Sequence, residues 1–260
     1  IGYEAFNYNA NPNYTRSLGW AIEPTQHTGL LASYQINDIV SVSAGIAETA
    51  SPTINNRPSY TGTSGTSGQF DLTYMGAVAV TAPEDMGALA GSTLYGGVVY
   101  GRTGSDSFGN TSGGNQTSWY AGATMATGIE WLSVGAAFDY LDYQNTLVGG
   151  TPIDASGSTW VAGLYTSFQA TEKLSLHARG EYQRQNSGYV TAAGLVGTEG
   201  DANAWEGTLT AQYDLWQNVI SRLELRWDNS KNPSNQYGDA TGGPTLNNAY
   251  SIMLNVIYVF

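Results

Sequence analysis

The chain has no cysteine, which removes disulfides, thiolate metal sites and cysteine nucleophiles together. It has no run of about 18 apolar residues, so a bundle of transmembrane helices is excluded. Lysine occurs only at Lys173 and Lys231, and histidine only at His27 and His177. Charged residues make up 12% of the chain, about half the share of a soluble domain. The net charge of −12 has the wrong sign for a nucleic-acid partner. No nucleophile elbow, phosphate loop, dinucleotide fingerprint or zinc spacing is present. Neither a cofactor nor a metal is expected, and the chain does not read as an enzyme.

What is present is alternation. In 250–260, Tyr250, Ile252, Leu254, Val256, Tyr258 and Phe260 fall on one face; Ser251, Met253, Asn255, Ile257 and Val259 fall on the other. A strand sends alternate side chains to opposite sides, so one face here is wholly apolar with aromatics at both ends. That suits a strand whose outer face meets lipid and whose rings sit at the two membrane–water interfaces. In 219–228, Val219, Ser221, Leu223, Leu225 and Trp227 oppose Ile220, Arg222, Glu224, Arg226 and Asp228. In 205–215, Trp205, Leu209, Ala211, Tyr213 and Leu215 oppose Glu206, Thr208, Thr210, Gln212 and Asp214. In 174–183, Leu174, Leu176, Ala178 and Tyr182 oppose His177, Arg179, Glu181 and Gln183. A soluble sandwich would place lysine freely outside, whereas both lysines here fall in expected turns or loops.

Further strands are expected at 160–168, 132–140, 117–126, 94–100, 70–80, 40–46 and 30–36. In 117–126 the run W-Y-A-G-A-T fits either face. Short connections fall at 37–38, 171–173, 217–218 and around Gly128, with a longer one at 82–91. Long connections rich in Gly, Ser, Asn and Thr fall at 48–68, 103–115, 145–157, 186–203 and 229–248. Short turns on one side and long loops on the other is outer-membrane topology, the short side being periplasmic. The fold class is therefore all-β: a transmembrane antiparallel up-and-down β-barrel, read as a single domain over 1–260.

A water-filled bore is where charge escapes the penalty of about 2–4 kcal/mol for facing mid-bilayer lipid. The expected pore-lining residues are Asp71, Asp139, His177, Arg179, Glu181, Glu206, Asp214, Arg222, Glu224, Arg226 and Asp228, with Arg16, Glu23 and His27 from the front of the chain. Arg179, Arg222 and Arg226 are expected to form a basic patch, with Glu206 and Asp214 on the strand between them. That set reads either as a cross-strand ion-pair network or as a transverse field acting on passing ions.

At the front, I-G-Y-E is followed by N-P-N-Y-T-R-S-L and E-P-T-Q-H-T-G. This stretch resembles the OmpL-like β-barrel porin family of bacterial outer membranes, through Gly2, Tyr3, Glu4, Asn13, Ser17, Leu18, Pro24, His27, Thr28 and Gly29. The terminal Phe260 resembles the closing residue of such barrels. The resemblance implies strands before the G-Y-E element, residues 1–6 being the end of a fifth strand and the whole barrel having sixteen, about twelve of them here. It makes 7–27 the candidate constriction loop, and it implies a homotrimer. The alternative takes 14–22 as a lipid-facing strand that closes a complete twelve-stranded barrel.

The expected function is passive diffusion of ions and small hydrophilic solutes across the bacterial outer membrane. Acidic groups outnumber basic ones inside and in the loops, so a mild cation preference is expected. The alternative is a structural or adhesive barrel that presents its long loops to a partner.

Overall fold

The computed structural model describes residues 1–50, 72–102, 115–144, 146–148, 151–153, 157–186, 201–231, 237–238 and 244–259. The strands in chain order are β1 (Gly29–Gln35), β2 (Val40–Ala47), β3 (Thr73–Thr81), β4 (Thr93–Arg102), β5 (Asn115–Ala126), β6 (Leu132–Gln144), β7 (Thr146–Val148), β8 (Thr151–Ile153), β9 (Gly157–Gln169), β10 (Leu174–Asn186), β11 (Ala202–Trp216), β12 (Val219–Lys231), β13 (Tyr237–Gly238), β14 (Pro244–Leu246) and β15 (Asn248–Tyr258). Eleven of them form one antiparallel sheet in the order β1-β2-β3-β4-β5-β6-β9-β10-β11-β12-β15. The pairs β7–β8 and β13–β14 are small separate ladders in the long connections. Each long strand pairs with the long strand before it, which is the up-and-down topology expected of a barrel.

The turns follow local chemistry. Asn37 Oδ1 accepts from the N–H groups of Ile39 (2.9 Å) and Val40 (2.8 Å), folding the β1–β2 turn back on itself. Asn218 takes a positive φ of 66° in the tight β11–β12 turn, a conformation Asn tolerates better than most residues. Between β3 and β4 the longer connection carries a 3₁₀ segment, Glu84–Leu89.

The apolar face looks outward. Leu254 is 74% exposed and Ile252 75%, while Glu224 on the neighbouring strand is fully buried. Outward apolar residues line up across strands: Leu209 faces Leu225, and Leu225 faces Ile252. An aromatic row crosses β6, β9, β10 and β11, with centroid distances of 5.9 Å (Phe138–Trp160), 5.3 Å (Trp160–Tyr182) and 4.5 Å (Tyr182–Trp205). Trp131 and Phe168 meet edge to face at 5.0 Å near the short-turn end. Two aromatic levels flanking an aliphatic band match the girdles of a membrane barrel. The W-Y-A-G-A-T ambiguity resolves with Trp119 outward and Tyr120 inward.

The largest fully buried side chains are Arg222, Gln183, Glu181 and Glu224, all on the inner face. Residues 1–27 lie across that face, touch strands from β4 to β12 and cover Glu181, Arg222 and Glu224. Two expectations are corrected here. Residues 1–6 are not the end of a sheet strand: Glu4 is ion-paired to Arg179 on the inner face. Residues 14–22 are not a lipid-facing strand: they include a short helix, α1 (Leu18–Ile22), capped by Ser17 Oγ accepting from the Trp20 N–H at 3.0 Å. The apolar side of α1, Leu18 and Ile22, packs on Leu141 of β6 and Val161 of β9. Lipid exposure fails for 14–22 because its backbone N–H groups find carboxylate partners on the inner face: Tyr14 and Thr15 at Glu224, and Leu18 at Glu181.

Candidate functional site

The site is the contact between residues 1–27 and the inner face. Strand pairing sets its rows. Glu181, Glu206 and Asp228 lie side by side on β10, β11 and β12, and the next row holds Arg179, Thr208 and Arg226. Acid above base across adjacent strands makes a compact lattice of opposite charges.

Arg179 is the hub. Its Nε lies 3.1 Å from Glu206, and one Nη reaches Glu4 Oε1 at 2.7 Å and the Thr15 carbonyl at 2.8 Å. Its other Nη donates to Glu206 Oε1 (3.1 Å) and the Arg16 carbonyl (3.3 Å). Glu224 accepts from the backbone N–H groups of Tyr14 (2.5 Å) and Thr15 (2.9 Å), and from the hydroxyls of Thr15 and Thr210. Glu181 accepts from the Leu18 N–H at 2.5 Å and the Tyr165 hydroxyl at 2.9 Å. Its charge therefore sits where the first N–H groups of α1 are otherwise unpaired. Arg226 donates to Asp228 (2.7 Å) and to the Arg16 carbonyl (2.6 Å), and Arg222 donates to Gln212 and the Tyr8 carbonyl.

Within the segment, Arg16 stacks over Trp20 (3.8 Å) and Tyr8 (4.3 Å) and donates to the carbonyls of Ala5 and Phe6. Asn11 bonds Ala5 in both directions and closes the first loop. Glu23 accepts from the Tyr3 N–H at 3.3 Å. Burial, with Asp139 beside it, raises the Glu23 pKa to about 9, so it is neutral at pH 7. His27 donates from Nδ1 to the Thr49 carbonyl (3.1 Å), and burial lowers its pKa.

Glycines on the inner face act as sockets. A methyl group on Gly97 would collide with Ile1, and one on Gly135 would collide with the Tyr3 hydroxyl. Tyr3 then stacks on Tyr165 at 3.9 Å.

The structure thus gathers Arg16, Glu23, Asp139, Arg179, Glu181, Glu206, Arg222, Glu224, Arg226 and Asp228 around one segment. The expected basic patch is instead a mixed lattice, and its members lie under the segment rather than on an open bore. Glu206 bridges toward Arg179 and Arg226 as expected, whereas Asp214 accepts from Gln212 near the short turns. His177 lies apart, bonded to Ser167 at 2.8 Å. Asp71 and Phe260 lie outside the described residues. Sequence reasoning missed Glu4, Tyr3, Thr15, Tyr95, Tyr120 and Tyr165. The signal was there in part, because tyrosines at inward positions of β4, β5 and β9 break the polar pattern of that face.

Among the described residues, two cavities border the segment. One, of about 470 Å³, lies between it and β4–β9; the other, of about 520 Å³, lies toward β1–β4. Gly2, Tyr95 and Tyr120 border both.

A family model described as "Putative beta-barrel porin-2, OmpL-like" matches residues 1–260. The chain belongs to this family. Membership places it in the bacterial outer membrane as a porin-like β-barrel. Among solved structures, a loop L8 deletion mutant of OmpT, an outer membrane protein of Vibrio cholerae, is similar with a TM-score of 0.55 at 14% identity, over 89% of this chain. The chain spans 63% of the length of that structure. In-vitro folded OmpT of the same organism gives a TM-score of 0.46 at 12% identity, over 88% of each chain. No curated protein matches the chain.

Proposed function

We propose that this family member is a diffusion channel for ions and small hydrophilic solutes, with a mild cation preference and a bore narrowed by residues 7–27. The observation that carries this reading is the segment itself. It lies across the inner face, held through Arg179 and Glu224, with two cavities left beside it. A segment that crosses a bore and is fixed to one side reduces its width without closing it.

The cation preference rests on the groups around the segment. Glu4, Glu206, Asp214, Glu224 and Asp228 stand against Arg16, Arg179, Arg222 and Arg226, with Glu23 neutral. Excess negative charge in a low-dielectric wall favours cations in the bore. Assembly as a homotrimer belongs to the same reading.

Planar-bilayer recording under a salt gradient tests it. The expected result is a stable open conductance with a reversal potential of cation-selective sign. An anion-selective sign overturns the preference. Absence of conductance overturns the channel and favours a filled barrel that acts through its surface loops.

A further inference from the structure

Where the channel reading holds, the two cavities define the route, and their lining is chemically unlike the rest of the inner face. We propose that this route carries a binding subsite for neutral, ring-shaped, hydroxyl-rich solutes, the chemistry of small saccharides.

The charged side of the bore is shut. Arg179, Glu181 and Glu224 are at most 3% exposed beneath the segment, so no solute meets them. The open side has another composition. Strands β1 and β2 present Ser33, Ser41 and Ser43, with Tyr95 and Tyr120 across from them at the junction of the two cavities. Gln35 adds an exposed amide beside these serines. Among the described residues, Glu4 is the one charged residue bordering the two cavities, and it is tied to Arg179 and Arg16.

Each feature selects against a different competitor. Hydroxyl and amide groups exchange hydrogen bonds with a neutral polyol without a net-charge requirement. A free ion gains little from such a lining compared with its hydration shell. Aromatic rings offer flat apolar faces beside a polar hydroxyl, which suits a cyclic molecule with one apolar face and hydroxyls at its rim. Tyr95 is 44% exposed and borders both cavities, so its ring is accessible to whatever passes. The cavity sizes lie within the range of small-molecule pockets, about 300–1,000 Å³.

The test uses the protein purified from outer membranes and placed in planar bilayers in potassium chloride. Glucose and maltose are titrated against sorbitol, which has hydroxyls but no ring. Ring sugars are expected to reduce the open-channel current saturably, at concentrations at least ten-fold below any effect of sorbitol. Tyr95→Ala is expected to raise the half-blocking concentration at least ten-fold, and Tyr95→Phe to keep it within two-fold of the parent. Lys173→Ala, in a turn far from the cavities, serves as the control. Equal effects of glucose and sorbitol, or a linear effect of both, overturn the subsite while the channel stands. Tyr95→Phe behaving like Tyr95→Ala overturns the role of the ring. Absence of any conductance overturns the channel and the subsite together.

Discussion

The two halves of the sheet share one outer face and differ on the inner one. On β10–β12 the inner side chains include a dense set of charged groups, and residues 1–27 cover them. On β1–β3 they are Ser33, Ser41, Ser43, Ala77 and Ala79, and they border open space. Strand length follows the same division, with 13 to 15 residues in β9–β12 and 7 to 9 in β1–β3. Outward chemistry is fixed by the bilayer and is the same everywhere. Inward chemistry is free, and here it is split into an anchoring wall and a thin wall.

The largest effect is expected at the hub of the anchoring wall. Arg179→Ala leaves Glu4, Glu181 and Glu206 buried together without their main counter-charge. Breaking a buried pair on one side costs about 3–5 kcal/mol. Conductance should rise as the segment detaches, and the thermal transition in detergent should fall by several degrees. An unchanged conductance would break the comparison, because the segment would then be held by something else.

A second substitution works from the socket side. Gly135→Val forces a side chain into the space of the Tyr3 hydroxyl. Overpacking of this kind costs about 1–3 kcal/mol. The front of the segment should be more readily cut by protease, with the sheet unaltered by far-ultraviolet circular dichroism.

pH gives a third, smaller handle. The Glu23 carboxyl carries a pKa raised to about 9 by burial and by Asp139. The docked state therefore holds the proton more tightly than the free segment, whose carboxyl titrates near 4.5. Docking is strongest below the free value and weakens as pH rises toward the docked value. Segment protection from protease should decline between pH 5 and pH 9, about the window between the two pKa values. Glu23→Gln should flatten that decline, and a parent profile that is already flat would remove the argument.

The smallest effect is expected on the thin wall. Ser43→Ala touches no part of the segment's anchorage. Stability should stay within about 0.5 kcal/mol of the parent, as for most substitutions outside packed features. A large loss there would show that the thin wall also bears the segment.

The outer face was readable from the amino-acid pattern because lipid enforces it strictly. Leu223, Leu225, Leu254 and Val256 face outward as their alternation demands, and all eleven long strands lie within a few residues of the expected bounds. The position of residues 1–6 was not readable. I-G-Y-E-A-F alternates as a strand would, yet what places it is Glu4 meeting Arg179, a partner 175 residues away. Periodicity describes which side of a strand a residue occupies; it carries no information on whether a segment joins the sheet. The charged residues of β10–β12 were correctly expected to face inward. What covers them could be learned only from the segment's path.

The distance along the chain between the anchored groups has its own consequence. The Leu18 N–H meets Glu181 across 163 residues, and the Tyr14 N–H meets Glu224 across 210. Contacts of such high sequence separation form late, because loop closure precedes any gain from them. Residues 1–27 are therefore expected to reach the inner face only after β10–β12 have paired.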